Sequence, residues 1–277
     1  MIAATCQRWT RRHETRRPAG ELLAPGRYGV EVLDEAEARA FVIGNHYSGS
    51  YPAARCRVGL FEVGVGLVGV GVFSVPAGPK VISRWLPHLD HNAEGIELGR
   101  LVLLDRVPGN GETWFLARAF ELLRQELPEV RGVLSFADPA QRVAADGAVI
   151  TPGHVGTIYQ ALNGRHLGRS RRRTLWLDAQ GQVVSERALA KLRTGDRGAA
   201  YAYERLRTAG APARLPLEDG RTYVKRALRA GPFRTLRHPG CLAYTWPLGD
   251  RRERKAYQRH APPALPFPKA ATAIVRP

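Results

Sequence analysis

Cysteine is scarce in this 277-residue chain: Cys6, Cys56 and Cys241 are the whole set. Three thiols, odd in number and widely spaced, argue against a disulfide framework and against a zinc knuckle, and fit a reducing compartment. Long apolar runs are missing too. None reaches the roughly 18 residues a bilayer crossing needs, and the apolar stretch from Val63 to Val75 is broken by glycines and reads as strands. The Arg-rich N-terminus lacks the apolar centre of a secretory signal. The expected location is therefore cytoplasmic, with no membrane partner. Internal repeats and a clean linker are also missing.

Acidic residues are unevenly missing. The net charge is +17. Residues 1–27 hold six basic side chains against two acidic ones, residues 28–184 hold 16 of each, and residues 185–277 hold 20 against seven. A neutral body with a basic last third suggests a chemical site in one part and a grip on a polyanion in another. We therefore expect a basic flexible arm over 1–27, a compact domain over 28–184, and a basic extension over 185–277 that packs on that domain and contacts nucleic acid.

The chain is organised around Glu97–Glu126, ELGRLVLLDRVPGNGETWFLARAFELLRQE. Leu98–Leu104 reads as a central strand and the residues from Glu112 as a helix with apolar positions at near-helical spacing. Upstream lie a strand at Tyr28–Leu33, a helix at Glu35–Gly44 behind an Asp34 N-cap, and a hairpin at Arg57–Val63 and Leu67–Pro76. Downstream lie a strand at Val130–Ala137, a helix at Val155–Leu162, and a hairpin at Arg173–Asp178 and Gln182–Ser185. The order β-α-β-β-β-α-β-α-β predicts a mixed α/β domain with a central twisted sheet flanked by helices. Short basic helices and a strand at Cys241–Trp246 follow as a helical C-terminal extension.

Several residues suit chemistry. Asp138 closes a buried-type strand, where α/β sheets open onto ligands; it is a base, a ligand anchor, a metal ligand or a turn aspartate before Pro139. Arg100 interrupts a central strand and needs a carboxylate or an anion, with Asp138 and Glu97 as partners. His46 suits a base or a metal ligand, Tyr47 suits stacking, and Tyr51 is a weaker stacking choice. Arg165, Arg169, Arg171, Arg172 and Arg173 put five cations in nine residues, a run suited to phosphates. Arg106-Val107-Pro108-Gly109-Asn110-Gly111 lies at a strand-to-helix turn, where helix amides favour an anion.

That Arg-x-x-Gly-x-Gly turn resembles the pyrophosphate loop of the GNAT acyltransferases, as does the element order. The resemblance implies that Arg106, Gly109, Asn110 and Gly111 hold acyl-CoA, acetyl-CoA above all. It also gives Tyr159 a place beside the thioester. A narrower likeness follows from Asn45-His46-Tyr47-Ser48, Glu97-Leu98-x-Arg100-Leu101, Ser135-Phe136-Ala137-Asp138 and Gly156-x-Ile158-Tyr159-Gln160-Ala161-x-Asn163, in that order. Together with Leu265-Pro266-Phe267-Pro268-Lys269 they resemble the Mom family of phage DNA-modification proteins. That resemblance implies an enzyme, acyltransferase-like, that converts N6 of a flipped adenine in duplex DNA to a methylcarbamoyl or related acyl-type adduct, protecting phage DNA from restriction in the bacterial host cytoplasm. It carries roles to Arg100, Asp138 and Tyr159, and to His46 and Tyr47. It also links the family to iron, for which no spacing here names the ligands. Two alternatives stand beside it: a conventional GNAT acyltransferase on a protein, tRNA or small amine, and a non-catalytic DNA-binding protein.

Overall fold

A computed structural model describes residues 4–10, 13–18, 20–76, 78–91 and 93–269. Residues 1–3, 11–12 and 19 of the expected arm lie outside it. The arm's remaining residues include an antiparallel pair, β1 (Ala4–Thr10) and β2 (His13–Pro18). The chain divides into two compact units. The first holds the described residues up to Pro139, then His154–Ser170 and those from Cys241 on; the second holds Ala140–Gly153 and Arg171–Gly240. The division does not fall at residue 184.

The first unit is built on a seven-stranded mixed sheet. Its early strands are β3 (Tyr28–Val32), β4 (Ala54–Glu62), β5 (Gly66–Ser74) and β6 (Gly95–Leu103), each antiparallel to the next. Helix α1 (Glu35–Asn45) starts where Asp34 accepts from the Ala36 and Glu37 amides at 2.7 and 3.0 Å, supplying partners for orphaned first-turn donors. A short helix, α2 (Pro79–Trp85), lies between β5 and β6. Helix α3 (Gly111–Glu126) follows β6 and buries Phe115, Leu116, Phe120 and Leu123 at 3.6-residue spacing. Strand β7 (Gly132–Ala137) then lies parallel to β6. Apart from the added α2, the order β3-α1-β4-β5-α2-β6-α3-β7 is the one expected from the GNAT resemblance.

The far half of the sheet differs from expectation. The strand foreseen at Cys241–Trp246 as part of an appendage is β13 (Leu242–Pro247), and it lies inside the sheet, in the order β10-β13-β7-β6-β5-β4-β3. Its first five residues are all buried, as a short continuous apolar run demands of a central strand. β10 (Arg165–Arg169) forms the edge beside it, and α8 (Arg251–His260) follows behind an Asp250–Glu253 capping box. The last third of the chain is thus partly core.

The second unit contains two ribbons and three helices. β8 (Arg142–Val143) pairs with β9 (Val149–Thr151). β11 (Arg173–Leu177) pairs with β12 (Arg234–His238), with Leu175 opposite Leu236. The expected hairpin forms only near its turn, where the Asp178 amide donates to the Gln182 carbonyl at 3.0 Å and the Val184 amide to the Trp176 carbonyl at 2.8 Å around the Leu177–Val183 bridge; the longer pairing of β11 is with β12. A local turn was the simpler reading of the sequence, but the distant segment offers a five-residue register. Helices α5 (Glu186–Thr194), α6 (Ala199–Thr208) and α7 (Gly220–Ala230) bury Leu189, Leu192, Leu206, Tyr223, Val224 and Leu228 together.

Candidate active site

The parallel pairing of β6 and β7 is short. Gly95, Ile96 and Glu97 register with Gly132, Val133 and Leu134, yet β6 runs on to Leu103 and β7 to Ala137. Past that point the two strands part. Ser135 Oγ spans the start of the fork, donating to the Leu98 carbonyl at 2.9 Å. An opening between parallel strands at the carboxyl end of β7 exposes backbone and side chains to a ligand.

Four expected residues meet here. Arg100 lies on β6 inside the fork. Its Nε donates to the Ser50 carbonyl at 2.9 Å and its Nη2 to Ser50 Oγ at 2.7 Å. This staples the loop after α1 to the sheet and brings the Tyr47 hydroxyl into the guanidinium's field. His46 stacks on Tyr47 with ring centres 4.3 Å apart. The His46 Nδ1 accepts from the Ser48 amide at 3.1 Å. Tyr159, on the short helix α4 (Thr157–Ala161), packs against Tyr244 and Trp246 of β13 at 5.5 and 5.4 Å. Gly156 permits this approach: its φ is +78°, and a Cβ there would sit 2.9 Å from both Tyr159 and Tyr244.

Arg100 has Glu97 as its carboxylate neighbour, with Tyr47 and Tyr159 also in its field. Asp138, the other expected partner, is placed differently. Its carbonyl accepts the His154 amide at 2.8 Å, and its carboxylate acts on the His154 ring. Lost hydration pushes the Glu97 carboxyl up to about 6, with Arg100 pulling the other way. Burial likewise raises the Tyr159 phenol, opposed by its hydrogen bond to Ser135. Burial lowers the Arg100 guanidinium and the His154 ring. A carboxyl near 6 beside a phenol kept protonated is an acid–base pair suited to neutral pH.

Glu97 was foreseen only as a partner for Arg100; three residues apart in a regular strand the two would face opposite ways, and the register shift of β6 between Leu98 and Arg100 sets them on one side. Cys241 was not foreseen. The register Leu242 to Ala137 sets Cys241 beside Asp138, and a carboxylate oxygen and the sulfur lie within 4.8 Å. Only the sheet brings these two together, across a separation of about 100 residues.

Other expected positions lie elsewhere. The Arg106 Nε is bound to the buried Glu62 at 2.7 Å, and Arg27 binds the same carboxylate at 2.9 Å. Asn110 Oδ1 accepts the Leu23 amide at 2.7 Å, and the Gly111 amide donates to the Pro108 carbonyl at 2.9 Å. Leu23, itself buried, packs over Gly111. Arg106 and the Gly111 amide thus have protein partners where a diphosphate would need their N–H groups, Asn110 is tied through its side-chain oxygen, and Gly109 is exposed. In this conformation the turn does not fit that group. The arginine run is divided between the units. Arg165 and Arg169 sit half-buried on β10, with Arg165 Nη2 on the Pro262 carbonyl at 2.7 Å, while Arg171, Arg172 and Arg173 are exposed in the second unit. Tyr51 packs with the α1 core under Arg39, whose guanidinium lies 4.6 Å from its ring.

Residues 27–214 match the model of the Mom protein family. The chain belongs to the Mom protein family. Among its members, the methylcarbamoylase mom of Escherichia phage Mu is 28% identical over 173 residues, 62% of this chain and 66% of that protein. The chain therefore spans just under two thirds of that relative's length. Solved structures it is similar to include a tandem GNAT protein from the clavulanic acid biosynthesis pathway, at 12% identity and a TM-score of 0.41, covering 80% of this chain and 99% of that one. Another is a malonyl-CoA decarboxylase from Agrobacterium vitis, at 14% identity and a TM-score of 0.34, covering 87% and 65%. All four Mom-like segments noted in the sequence fall inside the matched residues. β13, Cys241 and the proline-rich tail lie beyond them. That tail is pinned beside α4: the Leu265 amide donates to the His166 carbonyl at 2.8 Å, and Gln160 Nε2 to the Pro268 carbonyl at 3.3 Å.

Proposed function

We propose that this Mom family protein is a DNA-modifying enzyme that converts N6 of adenine to a methylcarbamoyl or related acyl-type adduct. The observation that carries the reading is the gathering of Glu97, Arg100, Tyr159 and Tyr47 at the β6/β7 fork, inside the family-matched residues. N6 is engaged in base pairing, so the adenine is flipped out of the duplex before it reacts. Tyr47 stacks on the flipped base. Glu97 in its charged form takes the N6 proton, Arg100 steadies the charge that develops, and the protonated Tyr159 phenol is the proton donor at the fork. Asp138 orients the amine. The donor class is acyl-CoA, by resemblance; because the Arg106–Gly111 turn has protein partners, no step is assigned to that group.

Asp138 and Cys241 offer a carboxylate and a thiolate close together, a donor pair compatible with the iron that the family resemblance implies. If bound there, iron would supply Lewis-acid or one-electron chemistry to a weak amine nucleophile. Exposed basic side chains, Arg171, Arg172 and Arg173 among them, contact the DNA backbone.

The test is nucleoside mass spectrometry of DNA from cells expressing the protein. A mass increase on deoxyadenosine that disappears in Glu97→Gln and Tyr159→Phe supports the reading. Unmodified deoxyadenosine in iron-replete cells overturns it.

A further inference from the structure

The loop joining α6 to α7 is braced from within and bare outside. Glu218 is the brace, with its side chain only 5% exposed. Its two carboxylate oxygens accept Arg226 Nε and Nη2, both at 2.7 Å, and one also accepts the Leu215 amide at 3.0 Å. Arg214 Nε donates to the Glu218 carbonyl at 2.6 Å, Arg226 Nη2 to the Ala213 carbonyl at 2.7 Å, and the Tyr223 hydroxyl to the Pro212 carbonyl at 3.3 Å. The Glu218 amide closes a four-residue turn on the Leu215 carbonyl at 3.2 Å.

Pro216 and Leu217 form the middle of that turn. Pro at the second position and a positive φ at the third mark a type II turn, where glycine is favoured. Here the third residue is Leu217, at φ +62°. Leucine at positive φ is strained, and strain of this kind concentrates where a segment has work to do. Leu217 is 106% exposed and Leu215 56%. A dense set of hydrogen bonds therefore holds a strained tip whose apolar side chains face water.

The surroundings are cationic. Arg214 and Arg221 flank the tip, and Arg221, Lys225 and Arg229 follow along α7, all exposed. They recur every four residues, about 6 Å of rise each. Across Ala140–Gly153 and Arg171–Gly240 there are 17 basic residues against seven acidic ones, a net +10.

We propose that Leu215-Pro216-Leu217 is a wedge that enters a base step of duplex DNA, while the flanking cations take its phosphates. This rests on the DNA-modification reading and adds how the duplex is opened. Apolar side chains of this type unstack base steps and kink duplexes in other proteins, and extruding a base needs that stacking energy to be offset. A rigid tip enters with little ordering cost. Two leucines are too small a patch for a stable protein interface, which takes about 800 Å² per partner, and the cationic surround favours phosphate over a protein face.

The test uses the full chain and a duplex carrying 2-aminopurine, whose emission rises on unstacking. Leu217→Gly suits the turn better than leucine does, so it keeps the fold; Leu215→Ser provides a second variant. With wild-type protein, emission rises on binding. With the variants the rise falls about tenfold, while duplex affinity, read by anisotropy at fixed salt, changes by less than about threefold because phosphate contacts remain. Unchanged emission in both variants overturns the wedge and leaves the DNA reading standing. Equal loss of affinity and emission makes the tip a contact surface and also overturns it. If the wild-type protein binds no duplex, the wedge and the DNA reading fall together.

Discussion

The two units balance charge differently. Ala140–Gly153 with Arg171–Gly240 carry 17 basic and seven acidic side chains; in the sheet unit, residues 1–139, 154–170 and 241–273 carry 24 and 18. There charges are spent on one another: Glu62 binds Arg27 and Arg106, and Arg55 binds Glu129. The helical unit has few acids, and Glu218 is committed to one loop. Under the proposed function, the contrast separates a site from a grip. A fork lined by Glu97, Arg100 and Tyr159 works because each group is withdrawn from water and tuned by the others. A polyanion surface works because its cations stay in water, ready to displace counterions.

The contrast breaks most sharply at the fork. Tyr159→Phe should lower DNA modification by about 100-fold or more, the usual worth of a positioned acid, with thermal stability little changed. Nucleoside mass spectrometry reads the first and a melting curve the second. Arg100→Ala should lose as much, and it also frees the loop at Ser50, so hydrogen exchange over residues 46–51 should quicken. A Tyr159→Phe enzyme of normal rate would remove the fork from the chemistry.

The packing behind the fork comes next. Gly156→Ala places a Cβ 2.9 Å from Tyr159 and Tyr244 on a backbone at φ +78°. It should cost about 1–3 kcal/mol of stability, measured by urea unfolding, and displace Tyr159. A neutral effect would mean that α4 sits loosely.

The pH response of Glu97 is third. Its carboxyl titrates near 6, above the ordinary 4.5. Only the charged form is a base, so the rate should rise with pH through about 6, close to tenfold per unit below it. Glu97→Gln removes that limb. Because folding raises this group, its contribution to stability is present below 4.5 and is lost as pH climbs through 6. A pH–rate profile that is flat between 5 and 7 would assign the proton to another group.

The smallest effect belongs to the helical unit. Hydrogen bonds from Arg226 hold the Glu218 carboxyl down at about 2, against 4.5 ordinarily. Its stabilising contribution is full above 4.5 and disappears as pH falls towards 2. Glu218→Gln should therefore melt lower than wild type at neutral pH and converge with it near pH 2, followed by circular dichroism at 222 nm. If the two differ equally at both pH values, the loop owes its brace to packing.

Much was readable along the chain where neighbours decide the outcome. Periodicity and caps placed α1 behind Asp34, α3 after a glycine turn, and three basic helices, read at 186–193, 199–209 and 222–228 and found at 186–194, 199–208 and 220–230. Arg100 was visible as a cation in a central strand and Tyr47 as an aromatic in a polar loop, while Tyr159 was marked by the family resemblance. Apart from Tyr159, those inferences need only local spacing and the cost of burying an unpaired group.

What escaped depends on long-range pairing. Nothing near Cys241 announces that β13 enters the sheet beside β7, yet that step sets Cys241 against Asp138 and Tyr244 against Tyr159. The Arg-x-x-Gly-x-Gly turn read as an anion cradle, but Glu62 and Leu23, distant along the chain, engage its groups. Composition and periodicity determined the elements and the charge divide. Tertiary structure decided which side chains meet, because strand order and register are chosen by the burial of whole faces at once, a sum over residues that no single stretch contains.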